Sequence, residues 1–239
     1  MAHGRAEAFD YLLGERTTPS AARAIRAAAA WLRSADHPVL SVNGNVAALA
    51  ATEVARVARA LPTLRVEVNL FHRTEARAVA VARRLRRAGV RAVLGIHPTA
   101  RIPHLPSDRA RVDRRGILVA DVVLVPLEDG DRAEALRALG KRVIAVDLNP
   151  LSRTARSADL PIVDEVTRAL SRLAEELERP AALAPSARRT FDRRTALADA
   201  YRTMERRFRK AATAGVGRAA ERAAPRRSPE TGRRRRRTR

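Results

Sequence analysis

Cysteine is absent from this chain of 239 residues. That excludes disulfides, cysteine-ligated metals and thiol nucleophiles, and leaves the redox compartment unreadable from thiols. Aromatic residues are scarce at 3%, with four Phe, two Tyr and one Trp, so a stacking surface for single-stranded nucleic acid has little to build on. Lysine occurs only as Lys141 and Lys210, and arginine fills every other basic position. With abundant alanine, this bias fits GC-rich coding better than a chemical demand. No apolar run approaches the roughly 20 residues of a membrane span. Met1–Arg5 leads straight into polar sequence rather than a secretory signal. The expectation is a cytoplasmic protein. The G-x-G-x-x-G fingerprint of dinucleotide-binding folds is missing too.

What the chain has in excess is positive charge, a formal net +22. Residues 181–239 hold 19 of the 48 Lys and Arg and 5 of the 26 Asp and Glu, a net +14 within that total. The basic balance is therefore mostly a property of the C-terminal quarter. Such charge speaks to solubility and non-specific binding rather than to fold.

Apolar periodicity divides the chain at Pro180. Residues 1–180 read as one α/β domain: a short helix ending near Gly14, a helix over Ala21–Ser34, then strands at Val39–Val42, Arg65–Leu70, Val90–Ile96, Ile117–Pro126, Arg142–Val146 and Leu160–Val163. Helices alternate with them at Ala47–Leu61, Thr74–Ala88, Asp131–Leu139 and Val166–Leu177. This alternation predicts a parallel, doubly wound, Rossmann-like sheet with helices on both faces. The strands carry Val, Ile and Leu without strict alternation, as expected when both faces are covered. The loop His97–Gly116 is long enough to suggest function. Residues 181–239 read as an Arg-rich extension: a linker over Ala181–Ser186 and a basic helix over Arg188–Ala220. Its last stretch ends in the five arginines Arg233–Arg237 and is expected to be disordered.

The polar clusters fall at the carboxyl ends of strands, where open α/β sheets bind ligands. Asp147, Leu148, Asn149, Ser152, Arg153 and Thr154 follow one strand and mix acid, amide, hydroxyl and guanidinium, a set suited to a nucleotide. Asn43-Gly44-Asn45 follows another and reads equally as a structural turn or a phosphate site. His72 and Arg73 are either a solvated cap or holders of a phosphate or carboxylate. Glu128, Asp129 and Asp131 offer three carboxylates in four positions, either an acidic turn with Asp131 capping the next helix or ligands for Mg²⁺.

Five segments add a resemblance: HGRAEAFDYLLGE, SVNGNVAAL, EVNLFHRTE, ADVVLVPLEDGDRAEAL and VIAVDLNPLSRTA. In this order and spacing, from Ala2 to Leu177, the chain resembles the archaeal 4-phosphopantoate–β-alanine ligases, or phosphopantothenate synthetases. The resemblance implies a Rossmann-like homodimer that joins 4-phosphopantoate and β-alanine at the expense of ATP. It implies release of AMP and diphosphate, in coenzyme A biosynthesis. It places ATP contacts on Arg5 of the HGR motif, on Asp147, Leu148 and Asn149, on Arg153 and Thr154, and on Glu165 and Val166. Arg5 and Arg153 are then the catalytic candidates, acting on phosphates. Asn43, Asn45, His72 and Arg73 are candidates for the phosphopantoate end, and Glu128, Asp129 or Asp131 for the metal or the β-alanine ammonium.

Three departures accompany the resemblance. Glu165 stands where the family usually has Asn, and Ala6 where it usually has Gly. The family's N-terminal helical segment with a His-Pro-Arg motif has no match here, so a chain starting at Met1 is expected to fold but ligate poorly. The sequence past Pro180 is expected to have no family counterpart. Two other classes stay open: another nucleotide-using enzyme on a Rossmann-like fold, and a nucleic-acid-associated protein acting through the Arg-rich tail. The absent glycine fingerprint argues against a dinucleotide reductase, and the tail is expected to contact RNA non-specifically at most.

Overall fold

A computed structural model describes residues 3–180 and 191–223. Two helices come first, α1 (His3–Leu13) and α2 (Pro19–Arg33). Gly14 ends α1 at φ 90°, a left-handed conformation that glycine adopts without a Cβ penalty. Thr18 caps α2 by accepting the Ala21 N–H, and Pro19 sits in its first turn, where a missing N–H removes no helical bond.

The chain then builds β1 (Pro38–Val42), α3 (Gly44–Leu49), α4 (Ala51–Ala60), β2 (Arg65–Val68), α5 (Glu75–Arg87) and β3 (Val93–Leu94). An excursion follows that contains the small antiparallel ribbon β4 (Ala100–Arg101) and β5 (Arg111–Val112). The second half runs β6 (Val122–Pro126), α6 (Gly130–Ala138), β7 (Arg142–Val146), α7 (Arg153–Ser157), β8 (Leu160–Ile162) and α8 (Val166–Glu178). Last comes α9 (Arg193–Ala223).

Six strands form one parallel sheet in the order β3-β2-β1-β6-β7-β8. The fold is the expected α/β doubly wound sheet. Alternate strand residues feed two cores. Leu40, Val42, Val66, Leu124 and Ile144 join α2, α4, α5 and α8 on one side. Val39, Val123, Val125, Val143 and Ala145 join α6 and the excursion's Ile102 and Ile117 on the other. A third, smaller cluster gathers Leu13, Leu148, Ala155, Val163, Leu197, Ala200 and Met204.

Four local expectations change. The helix expected over Ala47–Leu61 starts earlier, at Gly44, and breaks at Ala50 (φ −134°, ψ 31°). Helix α7 falls in what reads as a polar loop, because five residues are too few to show a 3.6-residue period. The strand expected over Val90–Ile96 shrinks to β3, and the one expected over Ile117–Pro126 shrinks to β6, because the Ile117 and Leu118 N–H groups bond to Glu67 and Asp113 rather than to a neighbouring strand. The expected linker Ala181–Ser186 and the arginine run Arg233–Arg237 lie outside the described residues.

Candidate active site

Strand order reverses between β1 and β6, so their carboxyl ends flank the crevice where such sheets take ligands. Asn43 follows β1 and spans that crevice. Its Oδ1 accepts the Val46 N–H at 3.0 Å, capping α3, and its Nδ2 donates to the Leu127 carbonyl at 2.8 Å and the Pro126 carbonyl at 3.3 Å. Both ends of the amide are thus spent on joining the two halves of the sheet. Leu127 stands at φ 51°, a left-handed conformation costing a branched residue of the order of 1 kcal/mol or more, and the Asn43 bond helps to hold it. Asn45, by contrast, is exposed on the first turn of α3.

Below the crevice lies a buried charged network that the sequence reading passed over. Arg132 is fully buried, and its Nη1 donates to Asn69 Oδ1 at 2.5 Å, Glu128 Oε2 at 2.7 Å and Ser41 Oγ at 3.2 Å. Glu128 Oε1 pairs with Arg109 at 2.6 Å, and Arg109 reaches Asp129 at 2.9 Å. The Arg132 Nε and Nη2 have no hydrogen-bond partner among the described residues. Burial pushes the Arg132 guanidinium down and Glu128 pulls it back up. Glu67, on β2, accepts N–H bonds from Asp113 at 2.8 Å and Ile117 at 2.6 Å, anchoring the excursion. Burial raises its carboxyl to about 7, against the lowering effect of those two bonds and of Arg132. Two signals for this network were in the sequence: a glutamate inside the apolar strand RVEV, and Glu128 and Arg132 at helical i,i+4 spacing.

The acidic loop does not gather its carboxylates. Glu128 faces inward onto two arginines, Asp129 leans on Arg109, and Asp131 pairs outward with Arg153 at 2.5 Å. Among the described residues no group of three or more His, Asp and Glu is placed to hold a metal. A donor set already neutralised by guanidinium groups does not fit a preformed Mg²⁺ site. The capping expectation shifts as well: Asp129, not Asp131, holds the N-cap position of α6, without a side-chain cap bond.

The loop after β7 is closed on itself. Asp147 accepts the Asn149 N–H at 2.9 Å and the Ser152 hydroxyl at 2.6 Å, and Asn149 accepts the Leu151 N–H at 2.9 Å. Burial pushes the Asp147 carboxyl up, against those bonds. Thr154 is buried and donates to the Glu128 carbonyl at 2.6 Å, fastening this loop to the one after β6. Ser152 caps α7, and Arg153 opens it with its guanidinium shared between Asp131 and Glu134. Gly130 permits the approach: a Cβ there would overlap the Cβ of Arg153. The Leu148 side chain turns down into the third core cluster.

The remaining candidates divide. Glu165 caps α8, its carboxylate accepting the Thr167 and Arg168 N–H groups at 3.0 Å, so its side chain serves the helix as an asparagine could. Val166 is buried at the start of α8. His72 is exposed. Arg73 turns toward the sheet edge and donates to the carbonyls of Gly95 at 2.7 Å and Ile96 at 2.5 Å. Arg5 lies in α1, and its side chain is outside the described residues. Helix α1 is tied into the site by Asp10, which pairs with Arg168 at 2.6 Å. Arg168 also holds Asp164 at 2.8 Å, and Asp164 accepts the Thr17 hydroxyl at 2.6 Å. A cavity of about 700 Å³ lies at the opposite, amino-terminal end of β2 and β3, lined by Arg59, Arg65, Arg91 and Arg115, and shares nothing with this cluster.

The sequence signature described as phosphopantothenate/pantothenate synthetase matches residues 20–207. The chain belongs to that family. It is 57% identical over 176 residues to the 4-phosphopantoate–β-alanine ligase of Thermococcus kodakarensis, covering 73% of this chain and 67% of that one. It is 59% identical over 173 residues to the ligase of the same name from Methanospirillum hungatei, covering 72% and 70%. For that of Methanosarcina mazei the identity is 54% over 175 residues, covering 73% and 68%. The phosphopantothenate/pantothenate synthetase match corrects one expectation: it runs past Pro180 through the first half of α9. There the stripe Leu197, Ala200 and Met204 packs against the domain.

Proposed function

We propose that this chain joins 4-phosphopantoate and β-alanine to 4′-phosphopantothenate, cleaving ATP to AMP and diphosphate, in archaeal coenzyme A biosynthesis. The observation that carries the reading is the identity of 54–59% to ligases of that name, over 173–176 residues. The polar loops grouped at the switch point agree with it. In the first step a phosphopantoate carboxylate oxygen attacks the α-phosphorus of ATP and diphosphate leaves, giving an acyl-adenylate. In the second, the β-alanine amine attacks the acyl carbon, AMP leaves, and the amine loses a proton.

Charge gathers on the phosphates as the first step proceeds, so fixed guanidinium groups aimed there would carry much of the rate. Arg153 and Arg5 are assigned to that role. Arg153 is exposed and held by surface carboxylates only, so a phosphate can take it over. Asp147, Leu148, Asn149 and Thr154 are assigned to the nucleoside. Their side chains already shape the loop, so backbone groups and the outer lone pairs are what they present. Glu165 and Val166 are assigned the same way: with its carboxylate spent on the cap, Glu165 would contact ATP through its backbone. The exposed Asn45 and His72 are assigned to phosphopantoate, and Asn43 and Arg73 support them from within. The working form is proposed to be a cytoplasmic homodimer.

Incubating the protein with 4-phosphopantoate, β-alanine and ATP tests the proposal. AMP should form in step with product. ADP in place of AMP would overturn the adenylate route, and no product at all would favour the rival classes.

A further inference from the structure

We infer that α9 positions the nucleotide loop, acting through the Tyr201 hydroxyl and the stripe Leu197, Ala200 and Met204. The inference rests on the reading of residues 147–154 as the nucleotide contact. Tyr201 donates to the Pro150 carbonyl at 2.9 Å, in the middle of that loop. Two residues earlier, Leu148 is buried in the cluster that holds Leu197, Ala200 and Met204. Positions 197, 200, 201 and 204 follow the i, i+3, i+4, i+7 pattern, so one face of α9 delivers both the apolar floor and the hydroxyl.

The same face meets α1. Leu13 belongs to the cluster, and Phe9 and Leu12 pack against it. Helix α1 carries Arg5 in its backbone span. One helix thus supports both segments assigned to ATP: the loop after β7 and the helix bearing the HGR motif. It is fixed from behind by Ser20, which donates to the Ala196 carbonyl at 3.2 Å, and by Arg193, which donates to the Ala158 carbonyl at 3.3 Å. Tyr201 touches no reacting atom in this scheme. It is a positioning residue, holding Leu148–Leu151 where the backbone can meet the nucleoside.

The test uses the full chain and Tyr201→Phe, which removes one hydroxyl and leaves the ring packed. Three effects are expected: faster amide exchange across 148–151, KM for ATP raised about three- to tenfold, and kcat and KM for β-alanine within twofold of the unaltered protein. Met204→Ala, which thins the stripe without touching the hydroxyl, should shift KM for ATP the same way. Phe208→Ala, exposed one turn further on, should change none of these. If exchange across 148–151 does not move in Tyr201→Phe, or if all three KM values rise together, the positioning role is wrong. Calorimetric titration with ATP separates the two readings. An unaltered chain that binds no ATP overturns the nucleotide assignment, whereas equal affinity in the unaltered chain and Tyr201→Phe overturns only the role of α9.

Discussion

Arg153 lies exposed at the first turn of α7, shared between Asp131 and Glu134. Exposed pairs of this kind contribute little to folding, whereas a charge-assisted bond to phosphate is worth about ten- to a hundredfold in affinity. Arg153→Ala is therefore expected to raise KM for ATP by about that factor while the unfolding midpoint stays put. Wild-type turnover at sub-saturating ATP would remove Arg153 from the site. Glu67 makes the opposite kind of residue-scale statement. Its folded value, about 7, lies above the ordinary 4.5 because burial disfavours the charge. The unfolded chain then gives up this proton first as pH rises. Stability is fully present below about 4.5 and declines between there and about 7, by about 3 kcal/mol for this group alone. Urea unfolding at pH 5, 6 and 8 should show a decline that Glu67→Gln flattens. Parallel curves for the two proteins would show that Glu67 does not titrate there.

Two short elements, α6 and α7, carry the loops after β6 and β7 and press against each other at Gly130. Adding a methyl group there sets it against Arg153, and overpacking of this kind costs about 1–3 kcal/mol. Gly130→Ala should lower the unfolding midpoint. It should also reduce ATP-dependent turnover more than Gly140→Ala, which meets nothing within 4 Å but sits at φ 76°. A Gly130→Ala enzyme with both properties intact would show that the α6–α7 contact is slack. The buried Glu128–Arg132 pair opens the same element. Removing one partner of a buried pair strands the other, at about 3–5 kcal/mol. Arg132→Met should therefore destabilise the fold far more than Arg153→Ala, measured by the same urea midpoint.

At the scale of the whole molecule, the densest run of positive charge, Arg233–Arg237, lies past the helix that supports the nucleotide loop. Counterion release makes binding to nucleic acid fall steeply with salt. Retention on RNA should therefore be lost by moderate salt, and lost outright when residues 224–239 are removed. The cut belongs after Ala223 rather than after Pro180, because Leu197, Ala200 and Met204 are buried against the domain. Retention that survives this cut would place the nucleic-acid contact on the folded part.

The sequence alone determined the doubly wound sheet, because alternating apolar runs and amphipathic helices leave a parallel sheet few ways to cover both faces. It also placed Asn43, His72, Glu128, Asp147 and Arg153 at the carboxyl ends of strands, since strand ends are local features. Which of those groups are free was not local. Asn43 is spent on Leu127, Glu128 on Arg109 and Arg132, and Glu165 on its own helix, and each of those partners or roles emerges only when the chain folds. Glu67 inside RVEV and Arg132 four residues after Glu128 hinted at pairing, but Arg109 read as an ordinary charge in a chain full of them. Only tertiary packing, by removing water from around them, turned them into a buried network. Likewise the composition past Pro180 announced charge, while the decision that α9 packs under the loop at Pro150 belonged to the third core cluster, assembled from segments nearly two hundred residues apart.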